Sequence, residues 1–284
     1  MATPPLRDEL VERILQRLGL HARPDVSLAA LSDLYARWSR NVPFDNIRKL
    51  IHVRAGDPRP LPGDTPNEFF EAWLRHGTGA TCWAANGALC DLLVALGYDA
   101  RRAAATMLVA PDIPPNHGSV VVHLDGERYV TDASMLFVDP LPLRAGARVA
   151  QRAWGVEAFD IDGHFTIRWN PLMRPDLLDC RYNLYGVTPA QFSVFHEATR
   201  AWSPFNFGLT LNLVRGDGRL GVAFDHRVDV DADGTITRTP FTGEARTRFL
   251  IDEVGISEET VAQLPPDIPM TPPPGSHAAA TARA

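Results

Sequence analysis

The sequence sets one cysteine, Cys82, at a junction. Before it lies the glycine-bearing stretch Gly79-Ala80-Thr81, and after it an apolar run from Gly87 to Gly97. Leu89, Leu92, Leu93 and Leu96 recur at the spacing of one helix face, Gly97 supplies a stop, and Thr81 suits an N-cap. Cys82 is then the first helical residue. Unpaired backbone N–H groups and the positive end of the helix dipole favour a thiolate there, which is the nucleophilic form. The same residue also suits a buried structural thiol.

A thiolate nucleophile needs a base and a group that orients the base. Ser119-Val120-Val121-Val122-His123-Leu124 reads as a strand, Asp125-Gly126 as a two-residue hairpin loop, and Arg128 to Asp132 as the return strand. That loop pairs Leu124 with Glu127 and, counting back, Ser119 with Asp132. His117 and Asp132 therefore share a face as diagonal neighbours, with Cβ atoms roughly 7 Å apart. Asp132 can bond one ring nitrogen while the other faces Cys82. His123 lies on the same face but beside the turn, too far from Asp132, so His117 is the candidate base. Backbone N–H groups at Cys82 and near Gly118 are candidates for stabilising an oxyanion. Phe44, Trp83 and Phe137 are candidates for an aromatic acceptor wall, and each also suits ordinary core packing.

Several elements must position these groups. Residues 6 to 20 and a stretch capped by Ser27 read as helices. Residues 51 to 66, with Pro58, Pro60, Pro62 and Pro66, read as an irregular loop, and a short helix runs from about Asn67 to Arg75. The period then shifts toward strands, from Ala100 to Ala110 onward, with Asp162-Gly163 as a further turn. Residues 188 to 201 read as a helix or extended linker. A second hairpin turns around Gly216-Asp217-Gly218, and Gly243 to Gly255 reads as a helix. The expected division is 1–98, helical and carrying the cysteine; 99–200, an antiparallel barrel carrying the histidine and aspartate; 201–270, an α/β lid; and 271–284, a disordered tail.

Composition narrows the function. The 284 residues are 45% hydrophobic and 22% charged with a net charge of −6, which suits a globular chain and gives no sign of a nucleic-acid-binding surface, while leaving room for local basic pockets for an anionic cofactor. The three cysteines, Cys82, Cys90 and Cys180, are too few and too odd for a disulfide scaffold. The start lacks the apolar run of a signal peptide, and no stretch reaches membrane-spanning length. A cytoplasmic protein with no membrane or nucleic-acid partner is expected. Asp229 to Gly234 resembles the start of a calcium loop, but Pro240 stands where the bidentate glutamate belongs, and no histidine has ligand-like spacing with the cysteines. No metal is expected.

The residues around Cys82, His117 and Asp132 resemble the arylamine N-acetyltransferase family. Its Arg-Gly-Gly-x-Cys-x-Glu-x-Asn block opens a helix, and its histidine and aspartate lie fifteen positions apart, as His117 and Asp132 do. Val42-Pro43-Phe44-Asp45-Asn46 is similar to its Pro-Phe-Glu-Asn segment, and Asn86-Gly87 to the asparagine after its nucleophile. The run from Asp132 to Pro140-Leu141-Pro142-Leu143 fits too. So do Phe192 to Phe195, Asn206-Phe207 and Gly218-Arg219-Leu220, carrying the resemblance to about residue 265. It implies an α+β fold of three parts within the cysteine-proteinase-like superfamily: helical, antiparallel β-barrel and α/β lid. It also implies a Cys82-His117-Asp132 triad, acetyl-coenzyme A or another acyl thioester as donor, and a small-molecule arylamine, hydrazine or hydroxylamine as acceptor. Thr78, Ala80 and Ala84 replace the family's arginine, second glycine and glutamate; Ser134 and Leu136 replace glycines after the aspartate. Three other readings follow. One is an amide synthase taking a polyketide or carrier-protein thioester, one a degenerate homologue that only binds ligand, and one a transglutaminase-like or protease-like thiol hydrolase.

Overall fold

The stretch after Thr81 is helical from Cys82 to Ala95, and the rest of the chain is arranged around it. The computed structural model describes residues 5–109, 115–149, 152–173 and 176–274. Four helices and one short strand precede or flank this helix: α1 Asp8–Arg17, α2 Leu28–Asn41, β1 Phe44–Asp45, α3 Ile47–Arg54 and α4 Pro66–His76, with α5 being Cys82–Ala95. Leu10, Val11, Ile14 and Leu15 form the buried face of α1, and the Ser27 hydroxyl accepts the Ala30 N–H at the start of α2. The irregular stretch begins later than the expected residue 51, because α3 runs on to Arg54. Ile47, Leu50 and His52 are buried on α3, so residues 51 to 54 are helical.

The leucine spacing of α5 suggests one apolar face, yet the helix is buried on most of its circumference. It packs against strands on one side and against helices on the others, as an all-round apolar helix must. Those strands are β2 Asp99–Met107, β3 His117–Leu124, β4 Glu127–Thr131, β5 Leu141–Pro142, β6 Glu157–Ile161, β7 His164–Trp169 and β8 Leu178–Tyr185. They form an antiparallel sheet in the order β5-β4-β3-β2-β8-β7-β6. The β3–β4 register pairs Leu124 with Glu127 and Val120 with Thr131, as a two-residue Asp125-Gly126 loop requires. Ala110, at the end of the expected first strand, lies outside the described residues.

The chain continues through α6 Pro189–Ala198, where Thr188 and Gln191 form a capping box, so 189–198 is helix. Then come β9 Thr210–Arg215, β10 Gly218–Ala223, β11 His226–Val230, β12 Ile236–Pro240, α7 Gly243–Arg248 and α8 Glu258–Val261, with a π-helical stretch at Phe249–Val254. The second sheet runs β1-β9-β10-β11-β12, so Phe44 and Asp45 cross from the helical region to pair with Asn212 and Leu211. The helical, antiparallel and α/β regions follow one another in the expected order. Residues 271–274 of the expected tail carry no helix or strand, and 275–284 lie outside the described residues. No helix among the described residues is long and apolar enough to cross a membrane.

One glycine sets the distance between α5 and β3. A Cβ on Gly118 would lie 2.6 Å from Phe192 Cζ, 2.7 Å from Trp83 Cε3 and 3.2 Å from Trp83 Cα. The last is backbone at the start of α5 and cannot turn aside. Gly118→Ala should therefore cost about 2 kcal/mol or more, read as a lower urea midpoint with an unchanged slope.

Candidate active site

Cys82 is the first residue of α5, and the Thr81 backbone is extended, though its hydroxyl caps nothing. His117 begins β3, and Asp132 follows the last residue of β4. The structure brings the three together. His117 Nε2 lies 2.8 Å from Asp132 Oδ2, with His117 2% and Asp132 0% exposed. Nδ1 is the ring nitrogen left for the cysteine. Cys82 is itself buried, with Sγ 4.0 Å from the Asn116 carbonyl.

Electrostatics favours an ion pair. Burial alone pushes the His117 pKa down, but the charge and hydrogen bond of Asp132, reinforced by Cys82, raise it overall. Burial pushes Asp132 up, and His117 outweighs it, leaving the carboxyl below its ordinary value. The signs set a window. The Asp132 contribution to stability is present above the ordinary 3.8 and is lost as pH falls through its depressed value. The His117 contribution is complete below the ordinary 6.5 and is lost as pH climbs through its raised value. By contrast, burial pushes the Cys90 thiol up to about 12 and raises Cys180 well above its ordinary range.

Asp132 also shapes the turn that follows it. Oδ1 accepts the N–H groups of Ser134 (2.9 Å) and Met135 (3.0 Å) while Oδ2 meets the imidazole. Its backbone is locked by Tyr35, whose hydroxyl donates to the Asp132 carbonyl (2.8 Å) and accepts its N–H (3.0 Å). Beyond it, Leu136 (φ 53°) and Val138 (φ 69°) keep a left-handed backbone despite their side chains, a conformation that is an outlier for a β-branched residue.

Asn86, one turn after Cys82, joins the parts. Its Nδ2 donates to the Gly118 carbonyl (2.7 Å) and the Ser134 hydroxyl (3.2 Å), and its Oδ1 accepts the Ala133 N–H (2.9 Å). One side chain thus ties the cysteine helix to the histidine strand and the aspartate turn. The sequence marks Asn86 only by its resemblance, and gives no sign of Tyr35.

Trp83 is 1% exposed, between Phe192 (centroids 4.9 Å) and Phe195 (5.0 Å, stacked). Phe137 is fully buried edge-on to Tyr35 at 5.6 Å, beneath the Asp132 turn. Phe44 meets Phe205 edge-on at 5.3 Å. Lys49 is a second group that the sequence did not mark. Its ammonium is buried, donates to Thr199 Oγ1 at 2.8 Å, and has its pKa pushed down to about 7 by burial against the opposing pull of Cys82 and Glu197. No group of three or more His, Cys, Asp or Glu side chains among the described residues is placed to hold a metal.

Residues 27–163 match a family model described as N-acetyltransferase. A curated arylamine N-acetyltransferase of Mycobacterium bovis is 31% identical over 100 residues, covering 34% of this chain and 33% of that protein. The match thus spans about a third of the relative's own length. The solved arylamine N-acetyltransferase of M. tuberculosis is 22% identical, covers 88% of this chain and 95% of its own, and superposes with a TM-score of 0.75. That of Salmonella typhimurium is 16% identical over 90% and 98%, with a TM-score of 0.76. The likeness in fold reaches far beyond the likeness in sequence.

Removing the Asn86 side chain orphans the Gly118 carbonyl and the Ala133 N–H in a buried place. Asn86→Ala should cost on the order of 2 kcal/mol or more in urea unfolding, and slow alkylation of Cys82 by iodoacetamide. Unchanged stability and alkylation would show that α5 holds its place without this tie.

Proposed function

We propose, for a chain that is a divergent relative of the arylamine N-acetyltransferase family, an acyl transfer that runs through Cys82. The observation that carries the reading is the buried His117–Asp132 pair, 2.8 Å apart, with Cys82 beside the free edge of the ring. In the first half-reaction His117 takes the Cys82 proton, or the thiolate and imidazolium stand ready as a pair. The thiolate attacks the carbonyl carbon of an acyl thioester. The carbon–sulfur bond to the carrier breaks, the carrier thiol leaves with the proton from His117, and the acyl group stays on Cys82. In the second, an arylamine, hydrazine or hydroxylamine attacks the acyl-Cys82 carbonyl, His117 takes the amine proton, and the cysteine is released as the amide forms. Asp132 holds the ring tautomer and supports the imidazolium in both halves.

Other residues take supporting roles in this reading. The backbone N–H groups at Cys82 and near Gly118 would stabilise the oxyanion. Gly118 suits that task because the absence of a Cβ keeps it against the start of α5. Of the three aromatic candidates for an acceptor wall, Phe44 is favoured, since it keeps 7% exposure where Trp83 keeps 1% and Phe137 none. Residues 1–98 would supply the nucleophile, 99–200 the base and its partner, and 201–270 the cover over both.

Acetyl-coenzyme A is the proposed donor. The reading draws support from the family resemblance and from a turn after Asp132 that keeps a glycine-like path at Leu136 and Val138. Ser134 and Leu136, where the family resemblance implies glycines, carry buried side chains, which makes a carrier-protein thioester the second candidate donor.

Incubation with acetyl-coenzyme A should add one acetyl group to the chain by intact mass, and Cys82→Ala should abolish the adduct. Asp132→Asn should lower kcat/KM for an arylamine by about a thousandfold or more. Acylation only from an acyl-carrier thioester would select the second donor. No adduct from either thioester would end the acyl-transfer reading.

A further inference from the structure

Asp45 is fully buried and wholly engaged with backbone. Its Oδ2 accepts the Gly79 N–H at 2.6 Å, and its Oδ1 accepts the Ile47 N–H at 2.9 Å. The Asp45 N–H donates to the Ala80 carbonyl at 3.3 Å, and Phe44 bridges Ala80 in parallel. The approach loop to Cys82 is therefore fastened to β1, and through β1 to the second sheet. Gly79 packs directly on the Pro43 backbone: a Cβ there would lie 1.7 Å from the Pro43 carbonyl oxygen.

No cation balances this carboxylate. Among the described residues none forms an ion pair with Asp45, and Arg48, the one charge that reaches it, is turned to Glu68 at 2.7 Å. The approach loop contributes Thr78, whose hydroxyl is buried without a partner, where the family resemblance implies an arginine. On β9 the paired residue is Leu211. On α5 the nearest titratable group in sequence is Cys82 itself. An ionised carboxylate held only by two N–H groups and a distant guanidinium is costly to bury.

We propose that Asp45 is a positioning residue for Cys82: ionised, it clamps the Gly79 end of the loop that delivers the thiol, and protonation loosens that clamp. This rests on Cys82 being the nucleophile. A carboxylate offers acceptor oxygens to both N–H groups at once. A carboxylic acid turns one oxygen into a donor, and the groups bonded to its oxygens among the described residues are both donors, so one of the two bonds weakens. Burial raises the Asp45 pKa to about 6 against the two N–H bonds and Arg48, which places the loosening within reach of mild acid. The ion pair of His117 and Asp132 does not share this inflection, because the raised His117 and lowered Asp132 lie on either side of it. Lys49 on α3, lowered to about 7 and interacting with the charge of Cys82, lies close to it, so the alkylation is read as the difference between wild type and Asp45→Asn.

Two measurements test the proposal without requiring acyl transfer. The first uses the wild-type chain. The backbone amide resonance of Gly79, followed against pH, should move through one inflection near the Asp45 value of about 6. A Gly79 amide that stays flat through that range overturns the proposal, and this result does not depend on any variant folding. The second follows alkylation of Cys82 by iodoacetamide, read on its own peptide by mass spectrometry, in wild type and Asp45→Asn. Wild type should lose about tenfold in rate as pH falls through the same inflection. Asp45→Asn, whose amide group must face one of the two N–H donors, should be slow at every pH and lack the inflection. The same inflection surviving in Asp45→Asn overturns the proposal. A chain that passes both tests yet takes no acyl group from any thioester loses the acyl-transfer reading and keeps this one.

Discussion

The ion pair between His117 and Asp132 constrains everything around it. Two charges taken out of water are costly unless each finds its partner and its remaining hydrogen bonds are met. Asp132 meets that condition with the imidazole on Oδ2, two N–H groups and the Asn86 amide on Oδ1, and the Tyr35 hydroxyl bridging its backbone. Each of these fixes a different piece of chain. The imidazole fixes the start of β3, the N–H groups fix the turn, and Tyr35 fixes α2 against that turn. The pair is thus the point where the helical and sheet regions meet.

Asp45 shows the opposite solution to the same problem. Its carboxylate is buried with no cation, and raising its pKa from 3.8 to about 6 corresponds to roughly 3 kcal/mol against the charged form. The sign matters. A carboxyl with a raised folded-state pKa opposes folding at neutral pH, and that cost disappears as the group takes up its proton in mild acid. The fold is thus under least strain at Asp45 where the loop is least firmly held. Strain of this kind persists only where surrounding structure over-determines it, as Pro43, Gly79 and β9 do.

What the sequence makes legible follows the range of the interactions. The hairpin at Asp125-Gly126 is a local object. A two-residue loop admits one register, and that register alone puts His117 and Asp132 on one face. The start of α5 is local too, set by an extended Thr81 and an apolar run. Tyr35 is different, because its partner lies 97 positions away, and so is Asp45, whose Gly79 bond spans 34. Nothing in the spacing around Tyr35 distinguishes it from the other apolar positions of α2. The same limit hid the helical first turns of the 51–66 stretch: its prolines were visible, but the packing of Leu50 and His52 was not. Asp132 was legible in two ways, as a turn former and as a partner for histidine. Both hold, because its two oxygens divide the tasks.

The departures from the family pattern converge on one question: how an approach loop keeps its shape when its charged brace is gone. Thr78 and Ala84 stand where the resemblance implies an arginine and a glutamate, and the loop here is held by backbone bonds. Gly79 donates to Asp45, Asp45 donates to Ala80, and Asn86 ties the next turn of α5 to Gly118 and Ala133. The turn after Asp132 shows the same trade. Leu136 and Val138 keep left-handed angles that glycine would adopt freely, held there by the Asp132 carbonyl accepting the Leu136 N–H and by complete enclosure. Hydrogen bonds to backbone are short-ranged and directional, so they fix a loop as well as an ion pair does. They do less to screen a buried charge. A chain that exchanges a salt bridge for such bonds keeps the geometry of its site and leaves the remaining carboxylate free to titrate.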